Sequence, residues 1–479
     1  MTKKSKIILP KKIRLRFPPS PTGLLHIGNA RTILFNYLFA KQNGGETVLR
    51  IEDTDKERSK LEYVQNIIDE LTWLGITWDE GPDVSGAHGP YKQSQRTDIY
   101  KKYLEQLLAD KKAYFCDCSA EELEAKKQDQ QGRGLAPKYD GKCRDKNNAE
   151  GVIRFKIAGK KVGFTDIIRG DVEFDMALLG DMVIAKDLDT PLYHFAVVVD
   201  DYEMQISHII RGEDHISNTP KQMLLQEALG FYTPMYAHLP LMLNADKSKM
   251  SKRAGDVAVS DYHKNGYLPE ALINFMVLLG WNPGTEKEIF SLPELIKEFS
   301  LQKVQKSGAV FNVQRLDYLN GWYIRQKSVE SLTKLCMPFL PENAKNLPPK
   351  QLEKIIAAHQ GRMKKLSDIT ELADFFFVEK LEYDPALLAW GSMTSEEVKK
   401  SLQTSMEVLS GIGKWDAASI QEALDSAAGT LKGQTFWPLR IALSGKKASA
   451  PGPEIAEILG KERTLQRIQE AIEALENKN

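Results

Sequence analysis

Residues 14–29 read Arg14-Leu-Arg-Phe-Pro-Pro-Ser-Pro-Thr-Gly-Leu-Leu-His-Ile-Gly-Asn29 and join a strand-forming run to a helical pattern through a proline-rich break. Strand-forming residues occupy positions 13–17, and apolar residues recur at helical spacing over 27–38 until the stop signal at 43–45. A strand, a tight loop and a helix in this order direct backbone N–H groups and the positive helix end toward one point. The stretch therefore predicts a phosphate-binding crevice.

Two residues of this stretch suit contact with a nucleotide. His26 is predicted at the start of the helix, where its imidazole can donate a hydrogen bond to phosphate oxygens. Gly28 has no side chain, so a purine or a ribose can approach the backbone closely. The loop is not Gly-x-x-x-x-Gly-Lys-Ser/Thr, and no Gly-x-Gly-x-x-Gly follows the strand. The common phosphate loop and the dinucleotide fingerprint are therefore disfavoured.

A basic segment, Lys249-Met-Ser-Lys-Arg253, follows a predicted strand at 236–243. Its cations can close over a triphosphate while charge develops on a leaving pyrophosphate. A short Lys-rich run is, by itself, more often a solvated loop. Taken together with residues 14–29, however, it predicts a site that holds ATP for attack at the α-phosphate.

The composition indicates a globular protein of about three domains, since the chain has 479 residues and single cores stop growing near roughly 250–300. Its 65 basic and 65 acidic residues cancel, which disfavours a DNA-coating protein but allows an RNA partner with one basic face. Without a long apolar run or a signal-peptide pattern, we expect a cytoplasmic protein with no membrane contact. Four cysteines indicate a reducing compartment rather than a disulfide scaffold.

The N-terminal half predicts a parallel, helix-covered sheet. Strand and helix patterns alternate from the start of the chain, for example a strand at 47–51 and a helix at 61–74. Strand patterns of the same kind return at 193–199 and 206–210. The segment between these two parts is therefore predicted to be an insertion into one sheet.

Two further regions differ from this sheet. The intervening segment is rich in charge and glycine, with a predicted flexible loop at 128–134 and a strand at 152–157. After the basic segment, apolar residues recur mostly at helical spacing, as at 465–475 near the C-terminus. The insertion is thus predicted to contain short strands, and the C-terminal part to be helical.

The signature segments resemble those of a known enzyme family. His26-Ile-Gly-Asn29 and Lys249-Met-Ser-Lys-Arg253 are similar to the two signatures of class I aminoacyl-tRNA synthetases. Five wider runs resemble bacterial-type glutamyl-tRNA synthetases in particular: Pro18-Pro-Ser-Pro-Thr-Gly23, Arg50-Ile-Glu-Asp-Thr-Asp55, Val198-Val-Asp-Asp201, Ile210-Arg-Gly-Glu-Asp-His215 and Tyr267-Leu-Pro-Glu-Ala-Leu272. Asn29 stands where a second His is usual in class I, but small or polar residues are normal there in the glutamyl branch.

The resemblance implies an α/β fold whose catalytic domain has a Rossmann-type parallel sheet. The implied domains are the catalytic domain at 1–115 and 190–246, an α+β acceptor-binding insertion at 116–189, a helical stem-contact region with the basic loop at 247–324, and an all-α anticodon-binding domain at 325–479. For the last of these regions, a dimerisation module is the alternative.

The resemblance also implies a reaction, in which ATP activates L-glutamate to glutamyl-adenylate and the glutamyl group passes to the 3′-terminal adenosine of tRNA(Glu). The implied catalytic residues are His26, Lys249 and Lys252. The implied ATP-binding residues are Gly23, His26, Gly28, Asn29, Lys249, Ser251 and Lys252, and Mg²⁺ arrives with ATP. No general base is needed for activation, because the α-carboxylate of glutamate is already anionic at pH 7.

A glutamate site needs forked cationic donors for the side-chain carboxylate and an anion for the ammonium group. Arg16 and Arg211 each end a predicted strand, so both should reach one crevice. The glutamate-binding residues that the family implies are Arg16, Ser20, Glu52, Tyr193 and Arg211, with Glu52 facing the amino group and Glu213 and His215 close by. Without the family, we would expect surface ion pairs for the arginines, an N-cap or ion pair for Glu52 and a half-buried strand position for Tyr193.

Three of the four cysteines, Cys116, Cys118 and Cys143, fall close together in the sequence, as zinc ligands do in reduced proteins. Some glutamyl-tRNA synthetases carry zinc at matching cysteines, so the resemblance implies one structural Zn²⁺. The fourth ligand is Tyr139 or Asp145, and three free thiols are the alternative. Cys336 stands alone in an apolar context and is expected in the core.

Several alternatives stay open at the level of the sequence. The enzyme could also charge tRNA(Gln), and Gln360 or Arg362 is a plausible reader of the anticodon. A non-catalytic tRNA-binding paralogue would be expected to have lost His26, Lys252 or Arg211, and all three are present. A truncated relative that modifies a tRNA base lacks the C-terminal region, and a glutaminyl enzyme has β-barrels there. A monomer is the family expectation.

Overall fold

The structure of the chain is a computed structural model that describes residues 10–248, 250 and 258–476. These residues form two compact units. The first lies within Met1–Lys264 and Pro269–Leu316, and the second within Asn265–Leu268 and Asp317–Asn479.

The first unit mixes strands and helices. Its strands are β1 (Arg14–Phe17), β2 (Glu46–Leu49), β3 (Ala113–Cys116), β4 (Val152–Phe155), β5 (Lys161–Asp166), β6 (Gly170–Asp175), β7 (Met182–Ala185), β8 (His208–Gly212), β9 (Met235–Leu239), β10 (Met242–Leu243) and β11 (Ala309–Val310). Its helices are α1 (Ile27–Gln42), α2 (Leu61–Trp73), α3 (Thr97–Ala109), α4 (Ala120–Gly132), α5 (Tyr193–Glu203), α6 (Thr219–Leu229), α7 (Val259–Lys264), α8 (Pro269–Leu278) and α9 (Leu292–Glu298).

Parallel pairing confirms the predicted fold class. β1 pairs with β2 and β8 pairs with β9, both in parallel, and α1 connects β1 to β2. The backbone N–H of Ser207, just before β8, donates to the carbonyl oxygen of Arg14 on β1 at 3.0 Å. The carboxyl ends of β1 and β8 therefore lie at one edge, which is where ligands bind in open parallel sheets.

Antiparallel strands connect the two parts of this parallel arrangement. β4 lies between β3 and β7, and β5 forms a hairpin with β6. The hairpin also joins the parallel strands, because Asp166 at the end of β5 pairs with Tyr236 on β9. This contact brings a carboxylate from a distant part of the chain next to the edge where β8 and β9 end.

The predicted strand at 193–199 is wrong, because these residues begin helix α5. Seven consecutive residues of α5, 195–201, are buried. A helix that is buried on every side has the same unbroken apolar run as a central strand, so periodicity does not separate the two.

The predicted flexible loop at 128–134 is also mostly wrong, because residues up to Gly132 belong to α4. The helix starts at a capping box, in which Ser119 accepts from the Glu122 N–H and the Glu122 side chain accepts from Ser119. None of its residues is buried, so α4 lacks the apolar stripe that would predict it.

The second unit is helical, as the sequence predicts, and no strand occurs among residues 317–476. The remaining helices of the chain are α10 (Val313–Gln326), α11 (Val329–Cys336), α12 (Pro349–Gln360), α13 (Ile369–Leu372), α14 (Ser395–Ser410), α15 (Ala417–Ala428), α16 (Lys432–Ser444), α17 (Gly452–Leu459) and α18 (Lys461–Glu476). Within α18, the apolar residues Ile468, Ile472 and Leu475 are buried. Arg467 is buried as well, and its guanidinium donates to the carbonyl oxygens of Leu443 and Phe375. Across the described part of the chain, the search for a helix long and apolar enough to span a bilayer finds none.

Candidate active site

A cavity of about 390 Å³ opens in the first unit at the carboxyl ends of β1 and β8. It brings together eight of the residues that the sequence analysis selects: Arg16, Ser20, His26, Gly28, Asn29, Glu52, Tyr193 and Arg211. Gly23 belongs to the same loop but is not among the lining residues. Lys249, Ser251 and Lys252 lie outside the described residues, although Met250 between them lines the cavity.

His26 is the N-cap of α1. Its Nδ1 accepts a hydrogen bond from the backbone N–H of Gly28 at 3.0 Å. Since Nδ1 is the acceptor, the proton of the neutral ring is on Nε2, which can donate to an anion. A Cβ added at position 28 would lie 3.1 Å from His26 Nδ1, so glycine permits the close approach of the ring.

A network of buried charges lies under the cavity. Oδ1 of Asp201 accepts from Arg16 Nε at 3.1 Å and from Arg50 Nη1 at 2.7 Å. The other terminal nitrogen of Arg50, Nη2, donates to Glu52 Oε1 at 2.8 Å. Arg16 and Arg50 are 2% and 0% exposed, so the surface ion pair expected for Arg16 as the alternative is wrong. The ion pair considered as the alternative for Glu52 is present.

Burial and charge act on the two carboxylates in opposite ways. Burial raises the pKa of Glu52, and the positive charge of Arg50 only partly opposes this. Burial also works to raise the pKa of Asp201, but the charges of Arg16 and Arg50 outweigh it and hold that pKa below its usual range. Asp201 is therefore ionised at neutral pH, whereas burial disfavours the ionised form of Glu52 even beside Arg50.

Arg16 and Arg211, two of the three arginines that line the cavity, are held on one side only. Arg211 donates through Nε to His238 Nε2 at 3.2 Å and through Nη2 to Thr219 Oγ1 at 2.8 Å. Nη1 of Arg16 and Nη1 of Arg211 are buried and have no hydrogen-bond partner among the described residues. Unpartnered buried donors are costly, so the arrangement favours an anion that accepts from both.

Neutral polar rings complete this end of the cavity. The hydroxyl of Tyr193 is 3.4 Å from Nδ1 of His215. Burial raises the pKa of Tyr193, so its phenol is neutral. Burial and the charge of Arg211 lower the pKa of His215 to about 4, so its ring is uncharged at neutral pH. Both rings can therefore make hydrogen bonds without adding charge.

Arg50 and Asp201 are the functional residues that the sequence analysis missed. Both lie inside runs that it quotes only for their resemblance. Two signals were available: an arginine within the strand-forming run 47–51, and an Asp pair that ends the apolar run 195–199. Charged residues in such places are buried only when they are paired, which suggests that they pair with each other.

The predicted cysteine cluster forms beside the antiparallel strands. The Sγ atoms of Cys116, Cys118 and Cys143 all lie within 4.8 Å of one another. The hydroxyl of Tyr139 is 3.3 Å from Cys116 Sγ and 3.7 Å from Cys118 Sγ, whereas Asp145 is exposed. Burial works to raise the pKa of the Cys116 thiol, but hydrogen bonds led by that of Tyr139 lower it to about 7.

Both parts of the chain match known families. Residues 12–318 match the family described as tRNA synthetases class I (E and Q), catalytic domain. Residues 331–472 match the family described as anticodon binding domain. The crevice at the ends of parallel strands and the two signature segments are thus those of a class I aminoacyl-tRNA synthetase.

Individual relatives match along nearly the whole chain. A glutamate–tRNA ligase of Dehalococcoides mccartyi is 44% identical over 97% of this chain and 98% of its own, and one of Desulforamulus reducens is 42% identical over 96% and 99%. A crystal structure of a glutamate tRNA ligase from Elizabethkingia meningosepticum, in complex with its amino acid, has a TM-score of 0.88 at 36% identity and covers 97% of this chain and 100% of that one. The chain belongs to the glutamyl and glutaminyl (E and Q) family of class I tRNA synthetases.

The buried network predicts a pH-dependent stability. Replacing Asp201 by Asn leaves Arg16 and Arg50 without their shared anion, which should cost about 3–5 kcal/mol at pH 7. Because the folded-state pKa of Asp201 is lowered, its stabilisation is present above its unfolded value near about 4 and is lost as pH falls through the folded pKa. The urea midpoints of the wild type and Asp201→Asn should therefore differ by a constant amount from pH 7 to about 5, and should converge only as pH falls below about 4.

The matched control for this measurement is Asp129→Asn. Asp129 pairs with Arg133 on the exposed surface of α4, so its replacement should leave the urea midpoint nearly unchanged at every pH. Equal midpoints for Asp201→Asn and the wild type at pH 7 would contradict the role assigned to the buried network.

Proposed function

We propose that the cavity is where this chain, a glutamate–tRNA ligase, joins L-glutamate to ATP and then passes the glutamyl group to the 3′-terminal adenosine of tRNA(Glu). One observation carries the proposal: two buried arginines with unpartnered donors, Arg16 and Arg211, line the same cavity as the carboxylate of Glu52. Glutamate has an anionic side chain and a cationic amino group, so it complements both features.

The side chain of glutamate is read by charge. Arg16 and Arg211 donate to its carboxylate, and the hydroxyls of Tyr193 and Ser20 add neutral donors. Glutamine would leave buried guanidinium charge without an anion, which gives a physical basis for its rejection. The ammonium group binds Glu52, and this new cation offsets the burial that raises the pKa of Glu52.

ATP binds along the loop that joins β1 to α1. His26, Gly28 and Asn29 line the cavity at the N-terminus of α1, where backbone N–H groups and the helix dipole favour phosphate. We assign Lys249, Ser251 and Lys252 to the triphosphate on the sequence pattern alone, and Gly23 to the loop that holds the nucleotide. The substrate is ATP with its bound Mg²⁺.

The chemistry follows from this arrangement. The α-carboxylate of glutamate attacks the α-phosphorus of ATP in line, and pyrophosphate leaves. Because the nucleophile is already anionic, the protein contributes position and stabilisation of the developing negative charge rather than a general base. Nε2–H of His26 is the donor that this geometry supplies.

The helical second unit is proposed to read the anticodon. A cavity of about 390 Å³ there is lined by Arg362, Trp390, Trp437 and Arg440 among others. The two indole rings lie 5.1 Å apart, and the Arg440 guanidinium is 4.6 Å from the Trp437 ring centroid. Aromatic faces next to guanidinium donors are suited to unstacked bases.

Arg362 is the better of the two predicted anticodon readers. The side-chain amide of Gln360 donates to the carbonyl oxygens of Ile324 and Lys327, both at 2.9 Å, so its donors serve the protein itself. Arg362 is exposed and lines the cavity. The inserted strands of 116–189 and the region 247–324 are proposed to contact the acceptor end and the stem of tRNA.

The cysteine cluster is proposed to hold one structural zinc ion. The Sγ atoms of Cys118 and Cys143 are 3.5 Å apart, close to the value of about 3.8 Å for two ligands at 2.3 Å from a tetrahedral zinc. Cys116 and the hydroxyl of Tyr139 supply the other two donors. The ion would tie the end of β3 to the loop that contains Cys143.

Charging of purified transcripts tests the function. With ATP, Mg²⁺ and each of the twenty amino acids, we expect glutamate alone to be attached to tRNA(Glu), and attachment should fall sharply in Arg211→Ala. Glutamate on tRNA(Gln) as well would identify the relaxed form of the enzyme. If neither transcript is charged, the proposal is rejected in favour of a non-catalytic tRNA-binding protein.

Replacing His26 separates catalysis from helix capping. His26→Ala should slow adenylate formation by about 10² or more while tRNA affinity is kept. Asn is among the best N-cap residues, so His26→Asn should preserve α1 but still lack the imidazole donor. ATP–pyrophosphate exchange with tRNA(Glu) present, together with thermal unfolding, measures both effects. A normal exchange rate in His26→Asn would show that the ring serves only as a cap.

Metal analysis tests the zinc proposal. The purified wild type should contain about one zinc per chain, and Cys143→Ser should lose it and unfold at a lower temperature. Cys336→Ala is the control, because Cys336 lies in the core of the helical unit, and zinc content should not change. Tyr139→Phe should weaken zinc retention if the hydroxyl is a ligand. A wild type purified without zinc, and unable to bind it when supplied, would contradict the site.

A further inference from the structure

A buried histidine lies next to Arg211 and takes no part in the reaction as described. His238 on β9 lies opposite Arg211 on β8 in the parallel strand register, and its side chain is 0% exposed. Its Nδ1 is 2.7 Å from Asp166 Oδ2, and its Nε2 is 3.2 Å from Arg211 Nε and 3.2 Å from Thr219 Oγ1. Four polar side chains are thus connected from β5 to the cavity.

The partners of His238 determine where its proton is. Arg211 Nε can only donate, so His238 Nε2 must accept. The single proton of the neutral ring is then on Nδ1 and is donated to the carboxylate of Asp166. A charged ring would place an N–H group opposite the N–H of Arg211. Burial lowers the pKa of His238, and the charge of Arg211 adds to this, so the ring is neutral although Asp166 opposes the shift.

The hydrogen bonds that Arg211 donates to His238 and Thr219 leave one edge of its guanidinium for a ligand. His238 accepts from Nε and Thr219 accepts from Nη2. The remaining fork consists of Nη1 and the second hydrogen of Nη2, and Nη1 has no partner among the described residues. A fork of two parallel N–H groups is the geometry that binds a carboxylate with two hydrogen bonds.

We propose that His238, fixed as the Nδ1–H tautomer by Asp166, is a positioning residue that aims this fork of Arg211 at the side-chain carboxylate of the amino-acid substrate. The inference rests on the proposed role of Arg211 as the reader of that carboxylate. Asp166 lies at the end of β5, so the antiparallel hairpin of the inserted region contributes to the choice of amino acid.

The surroundings of Asp166 make an isosteric test possible. Its Oδ1 accepts from the backbone N–H groups of Ile168 and Arg169 at 2.9 and 2.8 Å. In Asp166→Asn these two donors require the amide oxygen to stay in that place, so the NH₂ group must face His238 Nδ1. The ring then changes tautomer and presents Nε2–H to Arg211. A similar change of tautomer at a buried Asp–His pair is known to disable serine proteases without altering their geometry.

Steady-state charging of tRNA(Glu) measures the effect. Asp166→Asn should raise the KM for glutamate by at least about tenfold, with the KM for ATP unchanged. His238→Leu should have a similar effect, whereas His238→Gln keeps an acceptor for Arg211 Nε and should stay within about threefold of the wild type. Glutamine has no tautomers, so adding His238→Gln to Asp166→Asn should restore the KM for glutamate.

The outcomes separate this inference from the proposed function. If Arg211→Ala leaves the KM for glutamate unchanged, the reader role of Arg211 is wrong. If Arg211→Ala raises that KM but Asp166→Asn does not, or if His238→Gln and His238→Leu raise it equally, His238 serves packing only and the positioning role is overturned.

A spectroscopic measurement keeps the inference testable even if a variant does not fold. In ¹⁵N-histidine-labelled wild type, the two ring nitrogens of His238 should show a protonated Nδ1 and an unprotonated Nε2 at pH 7. The chain has eight histidines, and the signals of His238 are identified as those that are missing from the spectrum of His238→Gln. An Nε2–H tautomer or a charged ring would overturn the positioning role.

Discussion

The shared carboxylate of Asp201 is the interaction on which the site depends. It accepts from Arg16 and Arg50 at once, in a place where all three side chains are almost fully buried. A buried charge without a partner costs several kcal/mol, so each of the three holds the others in place. Through them the ends of β1 and β2 are tied to α5, and Glu52 is held beside Arg50 at the edge of the cavity.

This network leaves the cavity short of negative charge. Arg16 shares its only carboxylate partner with Arg50, and Arg211 forms no ion pair with a carboxylate among the described residues. In the proposed binding mode, a dicarboxylate supplies the missing negative charge, while Glu52, which lines the cavity together with Asp214, contacts the ammonium group. On this proposal, selection of the amino acid and stability of the site depend on the same buried charges.

The errors of the sequence analysis have physical causes. Residues 193–199 look like a strand because α5 is buried on every side, and the helical period appears only when one face is solvated. α4 shows the opposite case, since none of its residues is buried and its helical character is carried by the cap at Ser119. Arg50 and Asp201 were missed because pairing between residues about 150 positions apart leaves no local pattern.

The sequence by itself determined the parts that depend on neighbours along the chain. These are the strand, loop and helix of residues 14–42, the helical character of the second unit and the spacing of the cysteines, because turn chemistry, helical period and ligand spacing are local properties. The tertiary structure alone decided which charges meet. It buried Arg16 and Arg211 with one terminal nitrogen of each lacking a hydrogen-bond partner among the described residues, and it brought Asp166 into contact with His238. The reason is that β-strand pairing and burial join residues whose order in the chain does not predict their contact.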